Sequence, residues 1–188
     1  LFLGTEIEGG LANLYLRRLD GTVKATPLLG PRSPAAVSVD ERGMTAKGKW
    51  QGIRFSVTLC LAKTAPAWFF HVALENTLAK EKTVDLIYTQ DLGLAQYWAV
   101  RINEYYTSHY VDHPVLSHRG RGLVLASRQN LPMGDRNPWT LIGALGKGIA
   151  YATDALQFHG LAARAGQVPI GFTSGLPGAR LQHEHSMA

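Results

Sequence analysis

One stretch of the sequence decides the fold: Ile53-Arg54-Phe55-Ser56-Val57-Thr58-Leu59-Cys60-Leu61. Every odd-numbered residue in it is apolar, and its even-numbered residues are arginine, serine, threonine and cysteine. Successive side chains of a β-strand point to opposite faces, so this pattern predicts a strand with one buried face. Residues 68–74 repeat the alternation. The intervening Lys63-Thr64-Ala65-Pro66 predicts a hairpin connection between the two strands.

Short segments of the same kind occur along most of the chain. They predict further strands at 13–19, 22–28, 35–39, 44–47, 83–89, 105–116, 123–128, 141–145 and 148–153. Turn-forming pairs such as Asp20-Gly21 and Gly30-Pro31 separate these segments, and only residues 94–101 favour a helical turn or two. Regular short strands indicate an all-β protein. We expect a large antiparallel β-sandwich that spans residues 1–188 as a single domain.

Composition and charge exclude several classes of protein. Apolar residues make up 46 % of the 188 residues and charged residues 18 %, which is typical of a folded chain. The net charge is +5, but the basic residues are scattered in pairs, so no nucleic-acid groove is predicted. No apolar stretch approaches the roughly 18 residues of a membrane helix. The single Cys60 cannot form an intrachain disulfide, which favours a reducing, cytoplasmic location.

Two segments concentrate residues suited to binding. Residues 90–113 mix aromatic rings with Asp, Asn, Gln and Arg, and sugar sites combine flat rings that cover pyranose C–H faces with polar groups that bind hydroxyls. The alternative is that residues 105–113 are one strand whose aromatic residues only make cross-strand contacts. Residues 128–139 form a polar loop after a strand, where turn chemistry explains most of the composition.

No catalytic residue or metal site is assigned from motifs. The chain contains no Gly-x-Ser-x-Gly elbow and no phosphate-binding glycine loop. His183 and His185 would share one face of a strand, but no third metal ligand is identifiable. His109 and His113 are interpreted as half-buried strand histidines. Residues 179–186 read as a new strand just as the sequence stops, so we expect the sandwich to be incomplete at its C-terminal end.

Several segments carry a family resemblance, and they are Tyr88-Thr89-Gln90-Asp91-Leu92-Gly93-Leu94-Ala95, Ala99-Val100-Arg101-Ile102-Asn103-Glu104-Tyr105-Tyr106-Thr107-Ser108-His109-Tyr110-Val111-Asp112, Ala126-Ser127-Arg128-Gln129-Asn130, Ile142-Gly143-Ala144-Leu145 and Tyr151-Ala152-Thr153-Asp154. They resemble the N-terminal region of 1,2-β-oligoglucan phosphorylases, which belong with the cellobiose phosphorylases in family 94 of the glycoside hydrolases. The resemblance implies a supersandwich like that of the galactose mutarotases. It also implies a catalytic (α/α)6 barrel that these 188 residues do not include.

The resemblance implies a function as well. The whole enzyme would cleave β-1,2-glucooligosaccharides with inorganic phosphate as co-substrate and no other cofactor, while this chain alone would be inactive. Its partners would be the oligosaccharide, the barrel of the same protein and, in a homodimer, a second copy of the enzyme. In the family, a loop of the sandwich reaches the substrate pocket, and the matching stretch is 96–104. The candidate substrate-binding residues are therefore Gln96, Trp98, Arg101, Asn103 and Glu104.

Two other functions stay open at this point. One is a free-standing carbohydrate-binding module in which Trp98, Tyr97 and Tyr106 form the platform. The other is an aldose-epimerase-like enzyme, which needs a histidine acid and a glutamate base at one sugar ring. Glu104 with His109 or His113 would have to take those roles.

Overall fold

A computed structural model describes residues 12–41, 43–160 and 168–173, together with residues 176 and 178. The chain divides into two compact units. One unit spans residues 12–89, and the second takes in the described residues from 90 onward. The predicted strand at 179–186 and the histidines at 183 and 185 lie outside the described residues.

The first unit consists of seven strands in two sheets. The strands are β1 (Ala12–Arg18), β2 (Lys24–Pro27), β3 (Ala35–Asp40), β4 (Gly43–Trp50), β5 (Ile53–Leu61), β6 (Trp68–Asn76) and β7 (Val84–Gln90). Four of them form an antiparallel meander in the order β3-β4-β5-β6, and the other three form a sheet in the order β2-β1-β7. The strand predicted from the alternation of residues 53–61 is observed with those bounds.

The core of this unit lies between its two sheets. Ile53, Phe55 and Val57 of β5 are buried together with Leu14 and Leu16 of β1 in one apolar cluster. We call the face of the β3–β6 sheet that carries these β5 side chains the inner face. The opposite, outer face carries the charged residues, and there Arg54 Nη1 lies 2.6 Å from Glu75 Oε2. Two sheets packed through apolar inner faces make a β-sandwich, so the prediction of an all-β antiparallel sandwich is confirmed.

A tight turn sets the register of β4 and β5. Trp50 pairs with Ile53, which leaves only Gln51 and Gly52 in the loop. Both residues have positive φ, 48° and 84°, as two-residue hairpin turns of the primed type require. A Cβ on Gly52 would stand 2.4 Å from a Leu78 methyl carbon, so glycine is needed there for space as well as for conformation.

The second unit combines short helices with a four-stranded antiparallel sheet. Its elements are α1 (Tyr97–Ile102), α2 (Glu104–His109), β8 (Val111–Asp112), β9 (Val115–His118), β10 (Gly122–Gln129), β11 (Trp139–Gly143), α3 (Ala155–His159) and α4 (Ile170–Thr173). Strand β10 is central, because β11 pairs along one edge and β8 and β9 share the other. The longest helices in the described part of the chain have six residues. Among the residues that the structure describes, no helix is long and apolar enough to cross a membrane.

Two predicted strands are wrong. Residues 105–116 begin as helix α2, because Asn103 accepts a hydrogen bond from the Tyr106 N–H and so starts a helix where the side-chain alternation suggested a strand. Residues 148–153 make one isolated bridge, between Gly148 and Gly122, and no strand. A side chain at position 148 would stand 2.4 Å from the Leu123 carbonyl oxygen, so the two backbones pass closely at this one point.

Helix α3 was not predicted from the sequence, although the sequence carries a signal for its start. Asp154 accepts a hydrogen bond from the Leu156 N–H at 2.7 Å, and the Gln157 side chain accepts one from the Asp154 N–H at 3.2 Å. This reciprocal arrangement is a capping box, and the spacing of Asp154 and Gln157 could have predicted the start of a helix.

Two phenylalanines of the β3–β6 sheet provide a test of the core. Phe55→Ala should lower the free energy of unfolding by about 3–5 kcal/mol, because it removes a ring that is 2 % exposed and leaves a cavity. Phe69→Ala on the outer face, where the ring is 44 % exposed, should cost about 1 kcal/mol or less. Urea unfolding of both variants measures the difference, and equal losses would contradict the placement of the core.

Candidate functional site

The candidate residues lie on two short helices joined by one residue. Asn103 ends α1 through its N–H, which donates to the Ala99 carbonyl oxygen at 3.2 Å. The same residue starts α2, since its Oδ1 accepts the Tyr106 N–H at 3.0 Å. Asn103 therefore fixes the direction of both helices.

One side of this helix pair is buried and the other is open to solvent. Val100, Thr107 and Ser108 are buried, and Thr107 Oγ1 donates to the Asn103 carbonyl oxygen at 3.0 Å. The large side chains point outward: Tyr97, Trp98, Ile102, Tyr106 and Tyr110 are all exposed. We call these five residues the aromatic surface. Trp98, with 62 % of its area exposed, is an open ring rather than part of a core.

Hydrogen bonds and ring contacts orient the residues of the aromatic surface. The Trp98 indole N–H donates to Gln96 Oε1. Arg101 Nη1 donates to the Tyr97 hydroxyl at 3.1 Å, and this bond raises the pKa of Arg101 above its ordinary value. The guanidinium carbon lies 5.8 Å from the centre of the Tyr97 ring, within range of a cation–π contact.

Tyr106 and Tyr110 form a second pair on the same surface. Their ring centres are 5.1 Å apart in an edge-to-face arrangement. A hydrogen bond between them raises the pKa of Tyr110. Flat rings beside amide and guanidinium groups can cover the C–H faces of a sugar and bind its hydroxyls.

The predicted site residues are only partly brought together. Gln96 and Trp98 are hydrogen-bonded, and Arg101 follows on the same helix. Asn103 has a structural task as the cap of α2, which leaves its amide Nδ2 for a ligand. Glu104 is the first residue of α2, and its side chain lies outside the described part of the structure.

A buried glutamine supports the helix pair through hydrogen bonds to its backbone and to the segment before α1. Gln129 at the end of β10 is fully buried, and its Nε2 donates to the Thr107 carbonyl oxygen at 2.9 Å and to the Gly93 carbonyl oxygen at 3.3 Å. Its Oε1 accepts the Leu131 N–H at 3.0 Å. One side chain therefore ties β10 to α2 and to the segment before α1. The sequence placed Gln129 in a polar segment but gave no signal of this role.

The rest of the polar segment 128–139 also has structural partners. Asn137 Nδ2 donates to the Gln129 carbonyl oxygen at 3.0 Å. The Arg128 guanidinium carbon lies 5.5 Å from the centre of the Trp139 ring, on the neighbouring strand. These contacts are turn and packing contacts. The sequence analysis predicted that turn chemistry would explain most of the composition of this segment.

The two histidines of the central segment have different environments. His109 is the last residue of α2 and is exposed, so its interpretation as a strand residue is wrong. His113 is buried, with its Nδ1 2.9 Å from Ser127 Oγ. Within the described residues, no group of three His, Cys, Asp or Glu side chains is placed to hold a metal ion.

Comparison with known proteins assigns the sequence to a family. A family model described as the SOGP N-terminal domain matches residues 1–188. The chain belongs to this family.

The chain also has a relative among curated proteins. It is 36 % identical over 155 residues to a 1,2-beta-oligoglucan phosphorylase of Listeria innocua serovar 6a (strain ATCC BAA-680 / CLIP 11262). The match covers 82 % of this chain and 13 % of the relative. The chain thus corresponds to an N-terminal part of a much longer protein, and the expected resemblance is confirmed.

Two glutamines provide a test of how the chain supports its helix pair. Gln129→Ala should lower the free energy of unfolding by about 2–3 kcal/mol, because buried carbonyl and N–H groups lose their partner. Gln96→Ala removes an exposed glutamine at the start of α1 and should change stability by about 0.5 kcal/mol or less. Chemical denaturation of both variants is the measurement, and similar values for the two would argue against Gln129 as the support.

Proposed function

We propose that this chain is the non-catalytic N-terminal β-sandwich part of an inverting glycoside phosphorylase. The enzyme would act on β-1,2-glucooligosaccharides and phosphate and release α-glucose 1-phosphate. The observation that carries the proposal is the 36 % identity to a 1,2-beta-oligoglucan phosphorylase over 82 % of the chain. The full-length family match supports it.

The chemistry explains how the work would be divided. In an inverting phosphorolysis, one carboxylic acid protonates the departing glycosidic oxygen while phosphate attacks the anomeric carbon from the opposite face. Phosphate takes the place of the second carboxylate of a hydrolase, so the reaction needs a single protein acid. We place that acid in a helical (α/α)6 barrel outside residues 1–188, with inorganic phosphate as co-substrate and no further cofactor.

The aromatic surface is the proposed contact with the sugar chain. The open rings of Tyr97 and Trp98 offer flat apolar area for pyranose C–H faces. Arg101 and the Nδ2 of Asn103 supply donors for hydroxyl oxygens, and Gln96 holds the Trp98 indole in place. Glu104 remains a candidate substrate-binding residue because of its position in the chain. The surface would contribute to the acceptor side of the pocket.

A free-standing carbohydrate-binding module is the second candidate. The 62 % exposure of Trp98 favours it, because an uncovered ring platform can hold a sugar without any other domain. Micromolar binding of a glucan by this chain alone would support the module, whereas the accessory role predicts little or none. An aldose-epimerase-like activity has less support, because the His113 ring is buried against Ser127.

The exposed thiol of Cys60 is consistent with a reducing compartment, and we propose a cytoplasmic location. A homodimer of the full-length enzyme belongs to the same proposal. The homodimer rests on the assignment to a phosphorylase rather than on a contact in the chain.

The activity itself is the direct test. The complete gene product should release glucose 1-phosphate from a β-1,2-glucooligosaccharide only when phosphate is present, and the 188-residue chain should release none. A coupled assay for glucose 1-phosphate measures both samples side by side. Activity in the chain alone would refute its non-catalytic role, and no activity in either sample would move the binding module to first place.

A second test concerns Arg101. In the complete gene product, Arg101→Ala should raise the KM for the oligosaccharide or lower kcat, because an exposed donor to the sugar is lost, while Tm stays nearly unchanged. Arg119→Ala, in the exposed turn between β9 and β10, is the matched control and should keep normal kinetics. Replacing Asn103 is a less suitable test of sugar binding, because it also removes the cap of α2. Unchanged kinetics in Arg101→Ala would remove this residue from the site.

A further inference from the structure

Strand β3 is an edge of its sheet. It pairs with β4 on one side, and among the strands that the structure describes none pairs with its other side. Residues 36–40 are exposed on both faces of the sheet, and the exposed fractions of Val37 and Val39 are 54 % and 77 %. The outward N–H and C=O groups of such a strand can bind a further extended chain.

The sequence of β3 lacks the protection that exposed edges usually carry. Lysine and proline commonly block further pairing at an edge, and β2, at the edge of the other sheet, has Lys24 at its start and Pro27 at its end. Between Ala35 and Val39, β3 contains only alanine, valine and serine. Valine favours strand structure. This edge is therefore suited to continue a sheet.

The apolar residues of β3 are complementary to a second copy of the same strand. A two-fold axis perpendicular to the sheet at Ser38 would set two β3 strands antiparallel, with Val37 of each copy opposite Val39 of the other. Both valines belong to the inner face, because Val37 pairs with the buried Ala46 and Val39 pairs with Met44. The exposed valines of the two copies would then form one cluster of cross-strand contacts.

Charges on the outer face match in the same arrangement. Ala36 pairs with the exposed Lys47 of β4, and the two-fold axis would place Asp40 of the second copy on the other side of Ala36. Neighbouring strands are about 4.8 Å apart, so the Cα atoms of the lysine and the aspartate would be about 10 Å apart, and their side chains would meet above the small alanine. The dimer would contain this ion pair twice.

We propose that two copies of this chain bind each other through β3, antiparallel about Ser38, so that their two four-stranded sheets become one continuous sheet. A second copy is favoured over an unrelated extended segment, because one strand supplies both members of every valine pair and its own sheet supplies both charges. The inference rests on the proposed function in that a homodimer belongs to it, and it names the surface through which that homodimer forms.

A disulfide test measures this pairing in the complete gene product. Ser38→Cys would put thiols on directly opposite residues, whose Cα atoms are about 4.5–5.5 Å apart in an antiparallel pair and so within reach of a disulfide. Ala36→Cys is the matched control on the same face of β3, because residue 36 would lie opposite residue 40, which leaves the two thiols too far apart. Both variants also carry Cys60→Ser, which removes the exposed native thiol.

Mild oxidation should convert roughly tenfold more of the Ser38→Cys protein than of the Ala36→Cys protein to covalent dimer, because only the first pair satisfies disulfide geometry. A non-reducing gel measures both yields. Equal yields, a higher yield from Ala36→Cys, or no dimer from Ser38→Cys would refute the proposal.

A charge exchange tests the same arrangement without a covalent bond. Lys47→Glu should raise the Kd of the dimer roughly tenfold, because each of two ion pairs becomes a contact between like charges. Adding Asp40→Lys to Lys47→Glu reverses both charges and should restore the Kd to within about twofold of its original value. Sedimentation velocity over a dilution series measures the three constants. A monomeric wild-type protein, an unchanged Kd in Lys47→Glu, or no recovery in the double variant would overturn the proposal.

An assay of phosphorolysis on the same preparations separates this proposal from the proposed function. A cross-link through residue 38 without phosphorolysis would uphold the β3 contact and refute the phosphorylase assignment. Phosphorolysis without the cross-link would do the reverse.

Discussion

Burial of the alternate side chains of β5 beneath β1 is the interaction on which the first unit depends. Phe55 and Val57 have almost no contact with water, and Leu16 packs into the same cluster. This contact assigns one face of four strands to the interior, which places the charged residues on the other face. A paired Arg17 and Asp85, with 2.6 Å between Nη2 and Oδ2, adds a side-chain link between β1 and β7.

The second unit has a more polar interior. Gln129, Ser127, His113 and Thr107 are buried, and each has a hydrogen-bond partner. Hydrogen bonds are directional, whereas apolar contacts tolerate small displacements. Helix α2 is therefore located by specific donor and acceptor atoms. A surface that has to match the hydroxyls of a sugar gains from support of this kind.

Alternation predicted β5 best among the strands of the first unit, because Ile53, Phe55 and Val57 are buried on one face while Arg54 on the other face is exposed. The residues 53–61 and 68–76 follow that rule, and their register follows from the two turns beside β5. The same rule failed at 105–109, where tyrosine, threonine and serine suit a strand or a helix and the Asn103 cap decides between them. The sequence showed that aromatic and polar residues are concentrated in residues 90–113, so the rings of the candidate site could be predicted. Their support by Gln129 could not be predicted, because it joins residues 22 and 36 positions apart.

The single residue between α1 and α2 limits how this surface can change during evolution. Inserting one residue into a helix turns every side chain beyond it by about 100° around the helix axis. An insertion within α2 before Tyr106 would therefore change the direction of that ring relative to α1, and it would move the Thr107 carbonyl oxygen off Gln129 Nε2. Related chains can exchange the ring types of this surface to suit a different sugar. They cannot alter the number of residues between Trp98 and Thr107 without rebuilding the surface.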